Sequence, residues 1–410
     1  MIHPLSPLTA FASQEPVAIA QESEDAVAAA IRIGVLLGRC QQLRRERINA
    51  EEVARLRSTC VMMAESAVAR YKGLLGADTS TVDASATEAH GITPVQALCD
   101  LAEICEDEGL LQLADSLLRS TDSEFGEEGG IAARGQVVAH RARLARKGGD
   151  QPAAVVLYDL VREWADASGN DELHARAAIG AGLVARERGN IPELRRQFAN
   201  ALSAATRAGN PALTAVAHQG LMLAAAARQD FDVAVVHSWA AFRDVSDPRR
   251  KAEALLNVAQ AVLDSGEAAV ALHAFVAVLA RPLLKRLELP SLGGAVIAAA
   301  RIGDGVTVER LVRRIDALAA SADLGFEVLS TRVDAVSALV ILGATDVSER
   351  LAAVLADATT AGFNELTFRL ENIEAERTAQ KSQRSTSPEV RTVLMQLETL
   401  SNWSVLQGTI

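Results

Sequence analysis

Aromatic residues are only 3% of the 410 positions, so an apolar fraction of 49% has to pack mainly through alanine and leucine. Alanine, leucine, arginine and glutamate lose least on entering a helix, and runs such as Ala26 to Ala30 and Ala224 to Ala227 suit close helix contacts, which favours an all-α chain. Cysteine is scarce too. Cys40, Cys60, Cys99 and Cys105 all stand in the first quarter, and no pair has the C-x-x-C spacing of a zinc or redox site. They read as small buried hydrophobes in a reducing compartment.

A block of basic charge is also missing. The net charge is −11 and the arginines are spread along helical segments, so the electrostatic footprint of a duplex-binding protein is absent and nucleic acid is not an expected partner. No stretch reaches eighteen uninterrupted apolar residues, and even Val216 to Ala227 is broken by His218 and Gln219, so no membrane partner is expected. The N-terminus, with Pro4, Pro7 and Pro16, has no positive cluster ahead of an apolar run. It reads as a disordered tail over 1–21, not a secretion signal of the general export type.

Catalytic strings are absent as well: there is no G-x-S-x-G, no H-E-x-x-H and no G-x-x-x-x-G-K. Gly180-Ala-Gly182-Leu-Val-Ala185 matches the G-x-G-x-x-A form of a dinucleotide fingerprint, but those glycines fall inside a helix expected to begin near Asp171, with no strand before it. Gly182 reads instead as a packing residue. His140, His174, His218, His237 and His273 are separated by 34, 44, 19 and 36 residues, which places no metal pair on one helical turn. The expectation is a chain that is not an enzyme and holds no cofactor and no metal.

What the sequence does have is a recurring turn. It appears at Glu108-Gly109, Gly148-Gly149-Asp150, Arg188-Gly189-Asn190, Arg228-Gln229-Asp230, Ser265-Gly266-Glu267, Ile302-Gly303-Asp304 and Leu342-Gly343-Ala344, in steps of 40, 40, 40, 37, 37 and 40 residues. A second series of breaks lies between these turns: Gly169-Asn170, Gly209-Asn210-Pro211, Asp247-Pro248, Leu289-Pro290, Asp323 to Gly325 and Ala361-Gly362. Each unit is therefore two helices of about fifteen residues, stopped and restarted by Gly, Asn, Asp or Pro. Five residues after the turn stand Ala114, Ala154, Leu194, Ala234 and Ala271, and four further on Leu118, Tyr158, Phe198, Ser238 and Phe275. Seven before the turn come Ala102, Ala142, Gly182, Met222 and Ala259. Small residues on both helices let the backbones approach, and a larger one fills the space beside them.

In these features the chain resembles the tetratricopeptide repeat, from about Thr93 to Arg377, and most specifically from Thr93 to Ala280. The period near 40 is similar to the long-helix variant of bacterial signalling and regulatory proteins. Two late units depart from the pattern, with Val308 and Ser348 where alanine is expected and Val312 and Ala352 where a bulky residue belongs. The resemblance implies an all-α, right-handed superhelical solenoid of about seven helix-turn-helix repeats over 93–377. Before it, 22–76 reads as a helical hairpin (Glu22 to Arg47, Ala50 to Leu75), either a cap or a dimerisation element through which two copies pair, and 77–92 as a polar linker. After it, 378–410 reads as a linker, a short capping helix over Pro388 to Leu400, and a tail with Trp403.

The resemblance also implies where a partner sits: on the first helix of each hairpin, at positions not needed for packing. Carried over by distance from each turn, these are Gln96, Cys99, Glu103 and Glu106; Gln136, Ala139, Arg143 and Arg146; Arg176, Ile179, Leu183 and Arg186; Val216, Gln219 and Leu223; and Glu253, Leu256, Gln260 and Leu263. An acidic entrance gives way to a basic stretch (Arg143, Arg146, Arg176, Arg186) and then to an apolar end. Such a surface suits an acidic peptide segment with apolar anchors, while each arginine taken singly suits a solvated pair on its own helix. The resulting expectation is a cytoplasmic, bacterial-type adaptor or scaffold that binds a protein or peptide. A sensory regulator closing on a small peptide or metabolite is the alternative, and a secreted effector, suggested by the Ser- and Pro-containing tail, is a third.

Overall fold

The structure, a computed structural model, describes residues 20–46, 50–73, 94–126, 130–245, 248–280, 285–320, 325–344, 347–373 and 387–399. Among them are eighteen α-helices and no strand. Residues 1–19, the linker 77–92, 378–386 and the tail with Trp403 lie outside the described residues.

An N-terminal pair, α1 (Ala20–Arg45) and α2 (Ala50–Gly73), comes first. Seven two-helix units follow: α3 (Pro94–Asp107) with α4 (Leu111–Phe125), α5 (Gly130–Lys147) with α6 (Gln151–Ser168), α7 (Asp171–Glu187) with α8 (Ile191–Arg207), and α9 (Pro211–Ala227) with α10 (Phe231–Asp244). The array continues with α11 (Pro248–Asp264) and α12 (Ala268–Leu279), α13 (Lys285–Arg301) and α14 (Gly305–Ala320), and α15 (Phe326–Leu342) and α16 (Val347–Thr360). A short α17 (Asn364–Glu371) and a terminal α18 (Pro388–Glu398) complete it. Two compact units result. Residues 17–224 with 244–248 form one, and 225–243 with the described residues from 249 onward form the other.

Helix α1 starts at Ala20, two residues inside the stretch expected to be tail. By length and composition its segment Asp25–Arg45 could cross a membrane. Its buried residues, Ala26, Ala30, Ile33, Leu37, Cys40 and Leu43, recur at steps of three and four, as one face of a helix packed within a protein does.

The turn between the two helices of a unit is one motif used seven times. The N–H groups of Leu110, Asp150, Asn190, Asp230, Glu267, Asp304 and Ala344 each donate to the carbonyl five residues earlier, at 2.8 to 3.2 Å. This Schellman closure requires a left-handed residue just before the donor. Glycine supplies it at 109, 149, 189, 266, 303 and 343, and Gln229 supplies it with φ of 60°. In three of these turns the donor's own side chain then caps the next helix: Asp150 accepts from the Ala153 N–H, Asn190 from Glu193 and Asp304 from Thr307.

Packing follows the small-large rhythm of the sequence. Ala114, Ala154, Leu194, Ala234 and Ala271 are fully buried, as are Leu118, Phe198 and Phe275. The larger residues rest on glycines. A methyl group added at Gly182 or Gly220 would fall on the Phe198 ring, one at Gly180 on Tyr158, and one at Gly294 on Phe275. Both glycines of the dinucleotide-like string are therefore seats for aromatic rings inside a helix.

The late units divide. Val308 and Val312 are buried at the expected positions of α14. In α16, however, Ser348 and Ala352 are exposed, and the buried residues are Val347, Val354 and Ala358 with Leu351 half-buried. The apolar stripe has moved by one residue, because a β-branched valine now takes the first inward position. The expected break at Leu289-Pro290 is also displaced: α13 begins at Lys285 and carries Pro290 within its first turns.

Candidate functional site

The positions of interest lie on the first helices of the hairpins, in each unit separately. In the unit that ends at residue 224, equivalent positions of successive repeats bond to one another. Gln136 Nε2 donates to Gln96 Oε1 across exactly one repeat of the sequence, 40 residues. Arg143 Nε donates to Glu106 Oε2 at 2.8 Å, and its Nη1 to Glu103 Oε1 at 3.3 Å. Lys147 holds the other Glu106 oxygen at 2.5 Å, and Arg146 bonds Glu187 at 2.5 Å. Gln151 donates to the second Glu187 oxygen at 3.0 Å.

The Glu106 side chain is only 2% exposed, so it is a buried carboxylate held between two cations. Burial works against the charged form of Arg143, but Glu103 and Glu106 outweigh it and raise the pKa of the guanidinium. Arg143, Arg146 and Lys147 thus form an ion-pair ladder with Glu103, Glu106 and Glu187. Arg176 is bonded to Glu172 one turn back on its own helix, at 2.7 Å. Of the four arginines, Arg186 is exposed and makes no ion pair among the described residues.

Of the other residues singled out, Gln136, Leu183, Gln219 and Leu223 are half-buried in this unit, and Leu183 packs beside the cluster around Phe198. Leu256 and Gln260 belong to the other unit. Leu256 is buried and Leu263 more so, which removes them as exposed apolar anchors, whereas Gln260 is exposed and donates to Asp264 at 2.9 Å.

Gln260 lines a recess of about 490 Å³ between α11, α13, α15 and α17, all within the other unit. Pro290, Gly293 and Gly294 of α13 and Ser330, Thr331 and Ser337 of α15 are among its lining residues. A side chain at Gly293 would collide with the Asp334 carboxylate, which therefore lies against the α13 backbone. Arg369 donates to Asp334 at 2.6 Å, and Arg301 donates to the Leu263 carbonyl at 2.8 Å. Burial raises the pKa of Asp264 above the usual aspartate range, although the Gln260 hydrogen bond and Arg301 act against it. Phe326 and Glu327 form the rim; the Phe326 ring meets Phe363 edge-on at 5.4 Å, and Glu327 makes no ion pair among the described residues.

Sequence reasoning missed most of this recess, yet the signal was present. Partner positions were placed thirteen, ten, six and three residues before the turn. In the next two units the first three of these are Pro290, Gly293 and Ile297, then Ser330, Val333 and Ser337, and five of the six line the recess. Asp264, Arg301, Asp334 and Arg369 fall outside that register, and only the packing of the helices brings them to it.

A smaller recess of about 250 Å³ in the first unit is bordered by Arg162, His174 and Arg207. Arg162 and Arg207 are paired with Asp159 and Asp171, and His174 Nε2 lies 3.2 Å from Asp166 Oδ1. The four cysteines are buried thiols, and burial pushes Cys60 up to about 12 and Cys105 to about 11. Among the described residues no three His, Cys, Asp or Glu side chains gather as metal ligands would.

No known protein family matches the chain, and no curated protein matches it. Among solved structures it is similar to a circular tandem repeat protein with novel repeat topology and enhanced subunit contact surfaces. The identity is 16% over 94% of this chain and 95% of that one, with a TM-score of 0.16. The helical-repeat architecture described above stands on the seven turns and the ladder, independently of that likeness.

Proposed function

We propose that this chain is a tetratricopeptide-like interaction scaffold that holds an extended segment or helix of a partner protein against the helices α11, α13, α15 and α17. The recess between these helices carries this reading, because it is lined at the repeat positions where the resemblance puts partner contacts. At about 490 Å³ it has room for a side chain of the partner. On this reading the protein is a non-enzymatic adaptor of the cytoplasm.

The test is site-specific photocrosslinking in the native host. A benzophenone amino acid at Ser330, in the recess, should capture one discrete protein, and the same group at Glu309, exposed on the second helix α14, should not. Equal capture from both positions, or none from Ser330, removes the reading.

A further inference from the structure

Charge in the recess is unequally shared. Asp264, Glu327 and Asp334 face it, against Arg301 and Arg369. Asp334 and Arg369 bind each other, and one Arg301 nitrogen is engaged by the Leu263 carbonyl. One carboxylate remains in surplus, and exposed Glu327 and Phe326, 42% exposed, both line the recess. A recess lined by an aromatic ring and by carboxylates in excess of cations is a setting that favours an ammonium or guanidinium group.

We infer that the recess receives a basic side chain, arginine or lysine, from the partner segment, with Glu327 and Asp264 as its carboxylate partners and Phe326 against its stem. This rests on the scaffold reading and gives it a chemical class of partner, a basic segment. It reverses the acidic segment expected from the arginines of the first unit, which are largely neutralised there. The burial that raises Asp264 is consistent with it, since an incoming cation would stabilise the ionised carboxylate.

The experiment uses the full-length chain as bait for a random heptapeptide phage library. The best selected peptide is then measured by fluorescence anisotropy against the parent, Glu327→Gln and the double variant Asp264→Asn/Glu327→Gln, each checked for folding by circular dichroism. The expected result is enrichment of arginine or lysine. Replacing that residue by alanine should weaken binding at least tenfold to the parent and much less to the double variant. Selected peptides without a basic residue, or a basic residue whose contribution is unchanged in the double variant, overturn the inference. In that case the scaffold reading stands if Ser330→Trp, which fills the recess, abolishes binding of the selected peptides. If no peptide is enriched, both fail.

Discussion

Glu106 and Arg143 stand 37 residues apart in the sequence, yet Arg143 Nε donates to Glu106 Oε2 at 2.8 Å across the boundary between two repeats. Glu106 is almost wholly buried and shared with Lys147, so its two cations neutralise a charge that could not otherwise remain there. Glu106→Gln should lower the unfolding free energy by about 2 kcal/mol in urea titrations. A double-mutant cycle with Arg143→Met should show a coupling of about 1 to 3 kcal/mol. Strict additivity would mean that the pair is an incidental surface contact.

Phe198 and Gly220 give a second test. Alanine at 220 places a methyl group on the ring, so Gly220→Ala should cost about 1 to 3 kcal/mol despite the better helix propensity of alanine. Gly34 is also inside a helix but has nothing within 4 Å of an added methyl group, and Gly34→Ala should stabilise by about 0.5 to 1 kcal/mol. Thermal unfolding of both variants decides it. Shifts of the same sign would show that packing is not what sets glycine at 220.

Gln229 occupies the left-handed position that glycine holds in the other six turns, with φ of 60°. Removing the clash of its Cβ with the backbone, less the greater freedom of glycine in the unfolded chain, should make Gln229→Gly more stable by roughly 0.5 to 1 kcal/mol. A loss of stability would indicate that the glutamine side chain makes a contact worth more than its backbone strain.

Asp264 has a folded pKa above its ordinary 3.8 because it is buried. Above that value the unfolded chain has released a proton that the folded state still holds, so this group's contribution to stability falls as pH rises and levels off once the folded pKa is passed. Asp264→Asn removes this dependence. The stability of the variant relative to the parent should therefore grow with pH from about 4, at up to about 1.4 kcal/mol per unit crossed, and then become constant. The carboxylates of Asp171, Glu193 and Asp304, whose pKa values are lowered by hydrogen bonds, titrate alike in both proteins and cancel from the difference. A difference that does not change between pH 4 and 8 would remove burial as the cause.

The sequence by itself determined the helices and their rhythm. Glycine at a left-handed position and asparagine or aspartate at a cap act within a few residues, so the seven turns and the two helices of each unit are legible without tertiary information. The same holds for the buried positions around Leu194, Phe198 and Phe275, because helical period and side-chain size are both written locally. What only the tertiary structure decided is which charges meet. Arg143 and Glu106, Arg146 and Glu187, and Asp334 and Arg369 lie 35 to 41 residues apart, and their pairing depends on how one helix is set against the next. Arg143 and Arg146 of the basic stretch are thus neutralised by carboxylates from other helices. A recess lined by Asp264, Glu327 and Asp334 arose instead between α11, α13, α15 and α17, because electrostatics follows distance in space and packing alone sets that distance.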